Sequence, residues 1–270
     1  MTIREALAEA LNVSRSSLIA SSSESVVEKS LAVFHGFIKR RLNGECVAYI
    51  LGRKEFYGLE FLVNPAVLVP RPETETLVET ALKQLTINNE QLAMNNQPLQ
   101  VLDLCTGSGA VAVALKHAMP ELEVWATDIS PEALEVAKTN ATRLLPPESI
   151  HFCCGNLFDA LPSSFLTSHF SFLIITCNPP YVPTAEIAGL SPEVRGEPFI
   201  ALDGGGDGLD IIKKIVAEAL EFLQPGGVLL IEADPRQTAR ITVLLEEKGF
   251  TDIQTYKDLS GKERVIGGRR

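Results

Sequence analysis

Residues 100–112 read Q-V-L-D-L-C-T-G-S-G-A-V-A, and this stretch decides the fold. A short apolar run leads into two glycines and then into residues that favour a helix, so we predict a buried strand, a tight turn and a helix over 110–119. Gly107 and Gly109 allow the backbone to turn sharply and to approach a ligand closely. Asp128 ends the next predicted strand, where its carboxylate can accept hydrogen bonds from both hydroxyl groups of a ribose. The pattern therefore predicts a site for a ligand that contains a nucleoside.

Strands and helices alternate from residue 99 to the end of the chain. The further predicted strands are 123–128, 150–154, 172–176, 228–233, 251–256 and 263–268. The further predicted helices begin at Ser130 and Pro131, at Leu209 and near residue 236, and the last ends near 248. This alternation is typical of right-handed β-α-β units and predicts an α/β fold with a parallel sheet.

The N-terminal third has a different pattern. Two apolar stripes at helical spacing predict two helices, and their members are Ile3, Ala6, Leu7, Ala10 and Leu11, then Val27, Leu31, Phe34 and Ile38. Thr2 and Glu5 have the spacing of a capping box. Aromatic and β-branched residues around Gly58 predict a hairpin. The polar segment 87–98 indicates a loose connector, so we predict a helical domain with a β-hairpin over 1–83 for substrate recognition, a connector over 84–98 and a catalytic domain over 99–270.

Composition argues against some classes of protein. The net charge of −10 argues against a dedicated nucleic-acid binder, which would show a basic face. The five cysteines have no metal-ligand spacing, so we expect reduced thiols, no metal site and a cytoplasmic location. The N-terminus carries charges within its first apolar stretch, and no run of eighteen apolar residues occurs, so we expect neither a signal peptide nor a membrane partner.

Two cofactors are compatible with the glycine-rich turn. The run G-S-G-A-V-A matches the dinucleotide pattern, so an NAD-dependent oxidoreductase is an alternative. However, Asp103 lies close before Gly107, and its carboxylate would repel a pyrophosphate. A cationic ligand such as S-adenosylmethionine, which carries an amino group and a sulfonium, suits this carboxylate better. A carboxylate that only stabilises the loop is the other interpretation of Asp103.

The third predicted strand ends in G-N-L-F-D, over residues 155–159. In a sheet of this topology an adenine ring would lie at that point. Asn156 could form a hydrogen bond with the exocyclic amine, and Leu157 could cover one face of the ring. A simple Gly-Asn turn accounts for the same residues equally well.

The fourth predicted strand ends in N-P-P-Y, over residues 178–181, where ligands of open α/β sheets bind. The Asn178 side chain and the Pro179 backbone carbonyl supply two rigid acceptors, Pro180 has no N–H, and Tyr181 offers a flat face for stacking. Two hydrogen-bond acceptors and an aromatic ring for stacking suit a planar –NH₂ group. When the acceptors bind its two N–H groups, the nitrogen lone pair points at a methyl donor. We therefore predict in-line methyl transfer that depends mainly on positioning. A rigid loop with a core tyrosine is the alternative interpretation.

These motifs together resemble the class I S-adenosylmethionine-dependent amino-methyltransferases. Three further stretches are similar to the release factor glutamine methyltransferase family (PrmC/HemK). They read A-Y-I-L-G-R-K-E-F-Y-G-L-E-F, V-L-V-P-R-P-E-T-E-T-L-V-E and A-L-D-G-G-G-D-G-L-D. The resemblance extends from about residue 46 to the end, and the first 45 residues match only as a helical domain.

The resemblance implies methylation of the side-chain amide (N5) of the glutamine in the Gly-Gly-Gln loop of peptide chain release factors. It also implies a class I Rossmann-like seven-stranded sheet with a small N-terminal helical domain and a β-hairpin connector. The implied catalytic residues, which hold the glutamine amide, are Asn178, Pro179, Pro180 and Tyr181. The implied cofactor-binding residues are Asp103, Cys105, Thr106, Gly107, Ser108, Gly109, Asp128, Ile129, Asn156, Leu157, Asn178, Arg71 and Pro72. Asn156 stands where many members carry Asp, and Leu157 where many carry an aromatic residue.

Other functions remain as alternatives at this point. A nucleic-acid methyltransferase acting on the exocyclic amine of adenine or guanine uses the same N-P-P-Y turn, but the sequence has no basic groove or target-recognition domain. A binding module that lost activity is a third possibility, against which Asp128 and Asn178 argue. We expect a monomeric enzyme that binds release factors and no nucleic acid directly.

Overall fold

Short helices form the N-terminal part of the chain in this computed structural model, which describes residues 3–20, 28–92, 99–163, 165 and 171–270. They are α1 (Ile3–Leu11), α2 (Arg15–Ala20), α3 (Glu28–Leu42) and α4 (Val47–Leu51). Both predicted helices are confirmed, although Thr2 and Val27 lie outside the described residues. No described residue of α3 is fully buried. Leu31 is 40% exposed, whereas Phe34 and Ile38 are half-buried, so the apolar stripe of this helix is only partly covered.

The predicted hairpin around Gly58 is confirmed. Strands β1 (Arg53–Phe56) and β2 (Leu59–Leu62) are antiparallel. Phe56 and Phe61 form an edge-to-face pair with ring centroids 5.9 Å apart and are both fully buried. Burying each ring stabilises the fold by roughly 1.5–3 kcal/mol, so the hairpin is anchored to the core below it.

The connector predicted over 84–98 is wrong in its first part. A 3₁₀ turn (Pro72–Thr74) leads into α5 (Glu75–Leu92), so residues 84–92 are helical rather than loose. Leu77 and Leu85 are fully buried, so packing against the core stabilises the helix. Asn and Gln cost little once a packed helix exists, so α5 extends through them. Residues 93–98 lie outside the described residues, and the proposed domain division stays a prediction.

The main sheet contains seven strands within the described part of the chain, in the order β5-β4-β3-β6-β7-β9-β8. The strands are β3 (Gln100–Leu104), β4 (Glu123–Asp128), β5 (Ile150–Cys154), β6 (Phe172–Cys177), β7 (Leu223–Glu232), β8 (Thr251–Lys257) and β9 (Glu263–Arg269). The helices between them are α6 (Ala110–Ala118), α7 (Pro131–Leu144), α8 (Thr184–Ile187), α9 (Pro192–Arg195), α10 (Asp210–Phe222) and α11 (Thr238–Lys248), with 3₁₀ turns at Leu157–Ala160 and Phe199–Ala201. The seven-stranded α/β fold is confirmed.

The prediction of a wholly parallel sheet is wrong for β9. This strand is antiparallel to both β7 and β8. The residues between β8 and β9 are too few for a crossover helix, so the chain returns through a tight turn in which Gly261 donates its N–H to Asp258 at 2.9 Å. β7 also begins earlier than its predicted start at Val228, because Gly226 and Gly227 lie in an irregularity of the pairing with β6.

The core lies in two layers on the two faces of the sheet. Alternate residues of each strand point to opposite faces, as Ile174 and Ile175 do on β6. One layer contains the hairpin, α5 and α6, and the other contains α10 and α11. The carboxyl ends of β3, β4, β5, β6 and β7 therefore meet at one uncovered edge.

One buried amide joins the hairpin to the glycine-rich turn. Asn140 on α7 is fully buried, and its Oδ1 accepts the N–H of Leu62 at 2.7 Å. Its Nδ2 donates to the carbonyls of Leu62 at 3.0 Å and Ser108 at 2.9 Å. All three contacts are hydrogen bonds to backbone, so no apolar side chain of similar size can replace this amide.

We expect Asn140→Ala to lower the free energy of unfolding by about 2–4 kcal/mol, because it removes one buried and two partly buried hydrogen bonds to backbone. Urea denaturation measures the loss. Thr139→Ala, an exposed neighbour on α7, is the matched control and should change the value by under about 0.5 kcal/mol. Equal small losses for both variants would contradict this account of the link.

Candidate active site

A cleft lies at the carboxyl edge of the sheet and encloses about 1170 Å³ including its open mouth. It brings together most of the residues that the sequence predicts for the site. These are Asp103, Cys105, Thr106, Gly107, Ser108, Asp128, Ile129, Asn156, Leu157, Asn178 and Pro180. The glycine-rich turn and the N-P-P-Y turn therefore share one cleft, in agreement with the prediction from strand ends.

The floor of the cleft is built around the carboxylate of Asp103, which is only 1% exposed. Thr106 Oγ1 donates to its Oδ2 at 2.7 Å, and Thr176 Oγ1 on β6 donates to its Oδ1 at 2.8 Å. Burial raises the pKa of Asp103 to about 6, and these two hydrogen bonds oppose the rise. The carboxylate thus ties the turn to β6, and it also places negative charge beside the cleft at neutral pH.

The turn itself depends on a close approach between helices. Gly109 has φ +79°, and a Cβ there would lie 3.1 Å from the Cβ of Ala137 on α7. A larger residue would push α7 away from the start of α6. Gly109 therefore shapes the turn without lining the cleft.

Asp128 holds the same turn from the neighbouring strand. Its Oδ2 accepts the N–H of Gly107 at 2.8 Å, and its Oδ1 accepts the N–H of Ser130 at 2.9 Å. Burial raises the pKa of Asp128, and these N–H donors lower it by stabilising the charged carboxylate. Each oxygen keeps a further lone pair, so the carboxylate can still accept hydrogen bonds from a ligand.

Asn156 and Leu157 line the cleft after β5. The N–H of Gly155 donates to the carbonyl of Asp128 at 3.0 Å, which fixes this turn beside the end of β4. Leu157 has φ +49°, a left-handed conformation that is rare for a leucine. The backbone therefore holds this side chain against the cleft at a conformational cost of about 1–3 kcal/mol.

Asn178 lines the cleft directly after β6, and its Nδ2 donates to Thr74 Oγ1 at 3.2 Å. Pro180 also lines the cleft, whereas Pro179 and Tyr181 do not. Tyr181 packs partly buried against the core layer of α10 and α11, and its ring is not at the cleft wall. The stacking role predicted for this tyrosine has no support in the geometry and stays a prediction.

A glycine-rich segment, which includes Gly204, packs against the N-P-P-Y turn. The N–H of Gly204 donates to the carbonyl of Val182 at 2.9 Å, and Val182 donates to the carbonyl of Leu202 at 2.9 Å. A Cβ at Gly204 would lie only 2.8 Å from the carbonyl oxygen of Pro180. The A-L-D-G-G-G-D stretch therefore lets two backbones meet where a side chain would separate them.

Arg71 and Pro72 do not line the cleft. Arg71 is extended and donates to Glu197 Oε1 at 2.6 Å. The residues that face the cleft from this segment are Pro70 and Thr74, which the sequence analysis missed. The alternation of side chains in an extended segment is the signal that could have found Pro70.

Within the described residues no group of three or more His, Cys, Asp or Glu side chains could hold a metal ion. Among the same residues, no helix has the length and apolar character that a membrane span requires.

Comparisons with known proteins give the same fold and add a family. A sequence model described as "Methyltransferase domain" matches residues 101–195, and one described as "PrmC N-terminal domain" matches residues 2–52. Among solved structures, the hMettl16 catalytic domain in complex with MAT2A 3′UTR hairpin 1 is 16% identical, with a TM-score of 0.61 over 83% of this chain and 79% of that one. A methyltransferase from Pyrococcus furiosus is 16% identical, with a TM-score of 0.53 over 87% of this chain and 98% of that one.

Curated relatives are much more similar in sequence. A release factor glutamine methyltransferase from Geobacter sulfurreducens is 39% identical over 97% of this chain and 87% of its own length. A release factor glutamine methyltransferase from Burkholderia pseudomallei is 39% identical over 97% of this chain and 89% of its own length. A third relative with the same name, from Gloeobacter violaceus, is 42% identical over 81% of this chain and 72% of its own length. These likenesses do not favour the nucleic-acid methyltransferase or the NAD-dependent oxidoreductase.

We expect the stability of the protein without bound cofactor to depend on pH through Asp103. The pKa of this group rises from 3.8 to about 6 on folding, so between those values the folded state holds a proton that the unfolded state has lost. The free energy of unfolding should therefore fall as the pH rises from about 4 to 7, by roughly 1–3 kcal/mol from this group.

Asp103→Asn removes this titration. The free energy of unfolding of the variant should therefore increase relative to that of wild type by roughly 1–3 kcal/mol as the pH rises from about 4 to 7. Urea denaturation at several pH values measures it. A difference that stays constant from pH 4 to pH 7 would contradict the burial assigned to Asp103.

Proposed function

Since the chain belongs to the family of release factor glutamine methyltransferases, we propose that it methylates the side-chain amide nitrogen (N5) of the glutamine in the Gly-Gly-Gln loop of peptide chain release factors. The observation that carries the proposal is that Asn178 and the glycine-rich turn with Asp128 face one cleft. An amide substrate requires acceptors beside a methyl donor, and this cleft offers both sets of residues.

S-adenosylmethionine is the methyl donor, and the residues of the cleft fit it. The lining includes the carboxyl groups of Asp103 and Asp128, which favour a cationic ligand over a pyrophosphate. When bound, S-adenosylmethionine supplies an electrophilic methyl carbon on a positively charged sulfur. The residues that would hold it are Asp103, Cys105, Thr106, Gly107, Ser108, Asp128, Ile129, Asn156 and Leu157.

The substrate amide is held by the N-P-P-Y turn. Asn178 Oδ1 accepts one N–H of the glutamine amide. The backbone carbonyl of Pro179, a residue outside the lining of the cleft without substrate, accepts the other once the substrate is bound. Two acceptors on the two N–H groups draw electron density toward nitrogen and fix the direction of its lone pair. The proline ring of residue 180 keeps the Pro179 carbonyl in place without adding a competing donor. Catalysis then arises mainly from positioning, and the nitrogen releases its proton to water after transfer.

The N-terminal helices are proposed to bind the release factor. Leu31 and Val33 on α3 are 40% and 41% exposed, and no described residue of that helix is buried. Arg41 at the end of α3 forms an ion pair with Glu193, in the segment that leads to the cleft. The C-terminal end of α3 therefore lies next to the segment that leads to the cleft, and Leu31 lies about 15 Å further along the helix. The enzyme is further proposed to act as a monomer in the cytoplasm, where release factors act, without binding nucleic acid directly.

The function is tested by incubating the protein with S-adenosylmethionine and a release factor and analysing the digested product by mass spectrometry. We expect one methyl group on the Gly-Gly-Gln peptide and none when that glutamine is changed to glutamate. Methylation of another residue, or of an adenine-containing oligonucleotide in place of the release factor, would contradict the proposal.

Asn178→Ala should lower kcat by at least about 100-fold while the Kd for S-adenosylmethionine changes by under about 3-fold, because it removes an acceptor for the substrate amide only. Methyl transfer assays and calorimetry measure the two quantities. Gln254→Ala, which truncates an exposed amide on the edge strand β8, is the control and should change neither. Equal losses of kcat and cofactor affinity in Asn178→Ala would count against the assigned role.

A double variant, Leu31→Ser with Val33→Ser, should raise KM for the release factor by about 3- to 10-fold at nearly constant kcat, because it removes apolar contact area outside the cleft. The control is Val243→Ser on α11, where the side chain is similarly exposed at 48%. An unchanged KM in the double variant would reject α3 as the docking surface.

A further inference from the structure

A buried carboxylate lies beside Asn178 and has no part in the mechanism described so far. Glu232 ends β7, which is parallel to β6, and Cys177 pairs with Ile231. Asn178 and Glu232 therefore follow next to each other at the carboxyl edge of the sheet. Glu232 is 1% exposed, and its Oε2 has no hydrogen-bond partner in the part of the chain that the structure describes. Such a group is costly to bury, so its position requires a reason.

Thr74 connects this carboxylate to the active site. It is 3% exposed, lines the cleft and accepts the Asn178 Nδ2–H at 3.2 Å. Its hydroxyl also favours the charged form of the Glu232 carboxylate, whose pKa it lowers against the effect of burial. A hydroxyl has one proton to donate, so a Thr74 that donates to Glu232 must accept from Asn178.

The other groups around Glu232 come from three further positions. The Tyr181 hydroxyl and Arg264 on β9 both favour the charged form of the same carboxylate. Glu73, next to Thr74, repels it. Burial is the largest influence and raises the pKa of Glu232 to about 7, so the group changes its charge in the neutral range.

We propose that Thr74 and Glu232 are positioning residues that determine which end of the Asn178 amide faces the substrate. This inference rests on the proposed function. The ionised Glu232 accepts the Thr74 proton, Thr74 then accepts the Asn178 Nδ2–H, and Asn178 Oδ1 is left to face the cleft. With the opposite orientation the Asn178 –NH₂ would face the substrate –NH₂, and two donors would meet without an acceptor.

The proposal has a consequence for pH. A protonated Glu232 can donate to Thr74, which frees the Thr74 proton to donate to Asn178 Oδ1 and turns the amide over. We therefore expect kcat to fall as the pH decreases below about 7, while Glu232 takes up its proton. Glu232→Gln cannot change its charge, so its kcat should no longer rise across this pH range.

The test uses the full chain, S-adenosylmethionine and a release factor, and compares Thr74→Val, Thr74→Ser and Glu232→Gln with wild type. Thr74→Val removes the hydroxyl at nearly the same size and should lower kcat by about 10- to 100-fold. Thr74→Ser keeps the hydroxyl and should remain within about 3-fold of wild type. The control is Thr80→Val, a buried threonine on α5 whose hydroxyl donates within the helix to the Thr76 carbonyl at 2.7 Å, and it should retain wild-type kcat.

Thermal unfolding and the Kd for S-adenosylmethionine are measured for each variant, and both should stay close to wild type in Thr74→Ser and Glu232→Gln. Wild-type kcat in Thr74→Val, or a kcat in Thr74→Ser as low as in Thr74→Val, would overturn the proposal. So would a pH profile of Glu232→Gln that matches wild type. Failure of the wild-type protein itself to methylate the release factor would instead refute the proposed function.

Discussion

The hydrogen bond from the Asn178 amide to the Thr74 hydroxyl, at 3.2 Å, is the contact on which the rest of the site depends. An asparagine amide has an acceptor at one end and a donor at the other, so a group that binds one end decides what the other end presents. The fold brings the two residues together from distant parts of the chain, because Asn178 ends β6 while Thr74 lies in the turn before α5. The sheet edge, the two prolines and the support from Gly204 all serve to keep this contact in one geometry.

Buried carboxylates at the cleft lower the stability of the folded protein but favour the binding of a cation. Burial raises the pKa of Asp103 to about 6 and that of Glu232 to about 7, so each carboxylate is less stable as an ion inside the protein than in water. Asp103 is compensated by two threonine hydroxyls and has both oxygens bound, whereas one oxygen of Glu232 stays without a partner among the described residues. A cation in the cleft would offset part of this cost, which is a physical reason for a sulfonium cofactor to suit this fold.

Much of the architecture can be predicted from the sequence because it depends on local patterns. The strand before Gly107, the helix cap at Ser130 and the hairpin at Gly58 all arise from neighbouring residues. The wrong predictions concern segments whose structure depends on contacts between residues distant in sequence. The polar end of α5 is helical because the preceding part of that helix is packed against the core. The direction of β9 depends on the short turn before it. Thr74 and Glu232 were missed for the same reason, since no spacing relates a turn before α5 to the end of β7.

Methyl transfer in this site therefore requires that the turn at 178–181 holds a planar nitrogen next to the methyl donor. The most direct measurement is a crystal structure of the protein with S-adenosylhomocysteine and a Gly-Gly-Gln peptide. The account predicts that the glutamine nitrogen lies about 2.7–3.2 Å from both Asn178 Oδ1 and the Pro179 carbonyl oxygen, on the side that faces the cofactor sulfur. A glutamine bound elsewhere in the cleft, or an Asn178 that presents its nitrogen to the substrate, would contradict it.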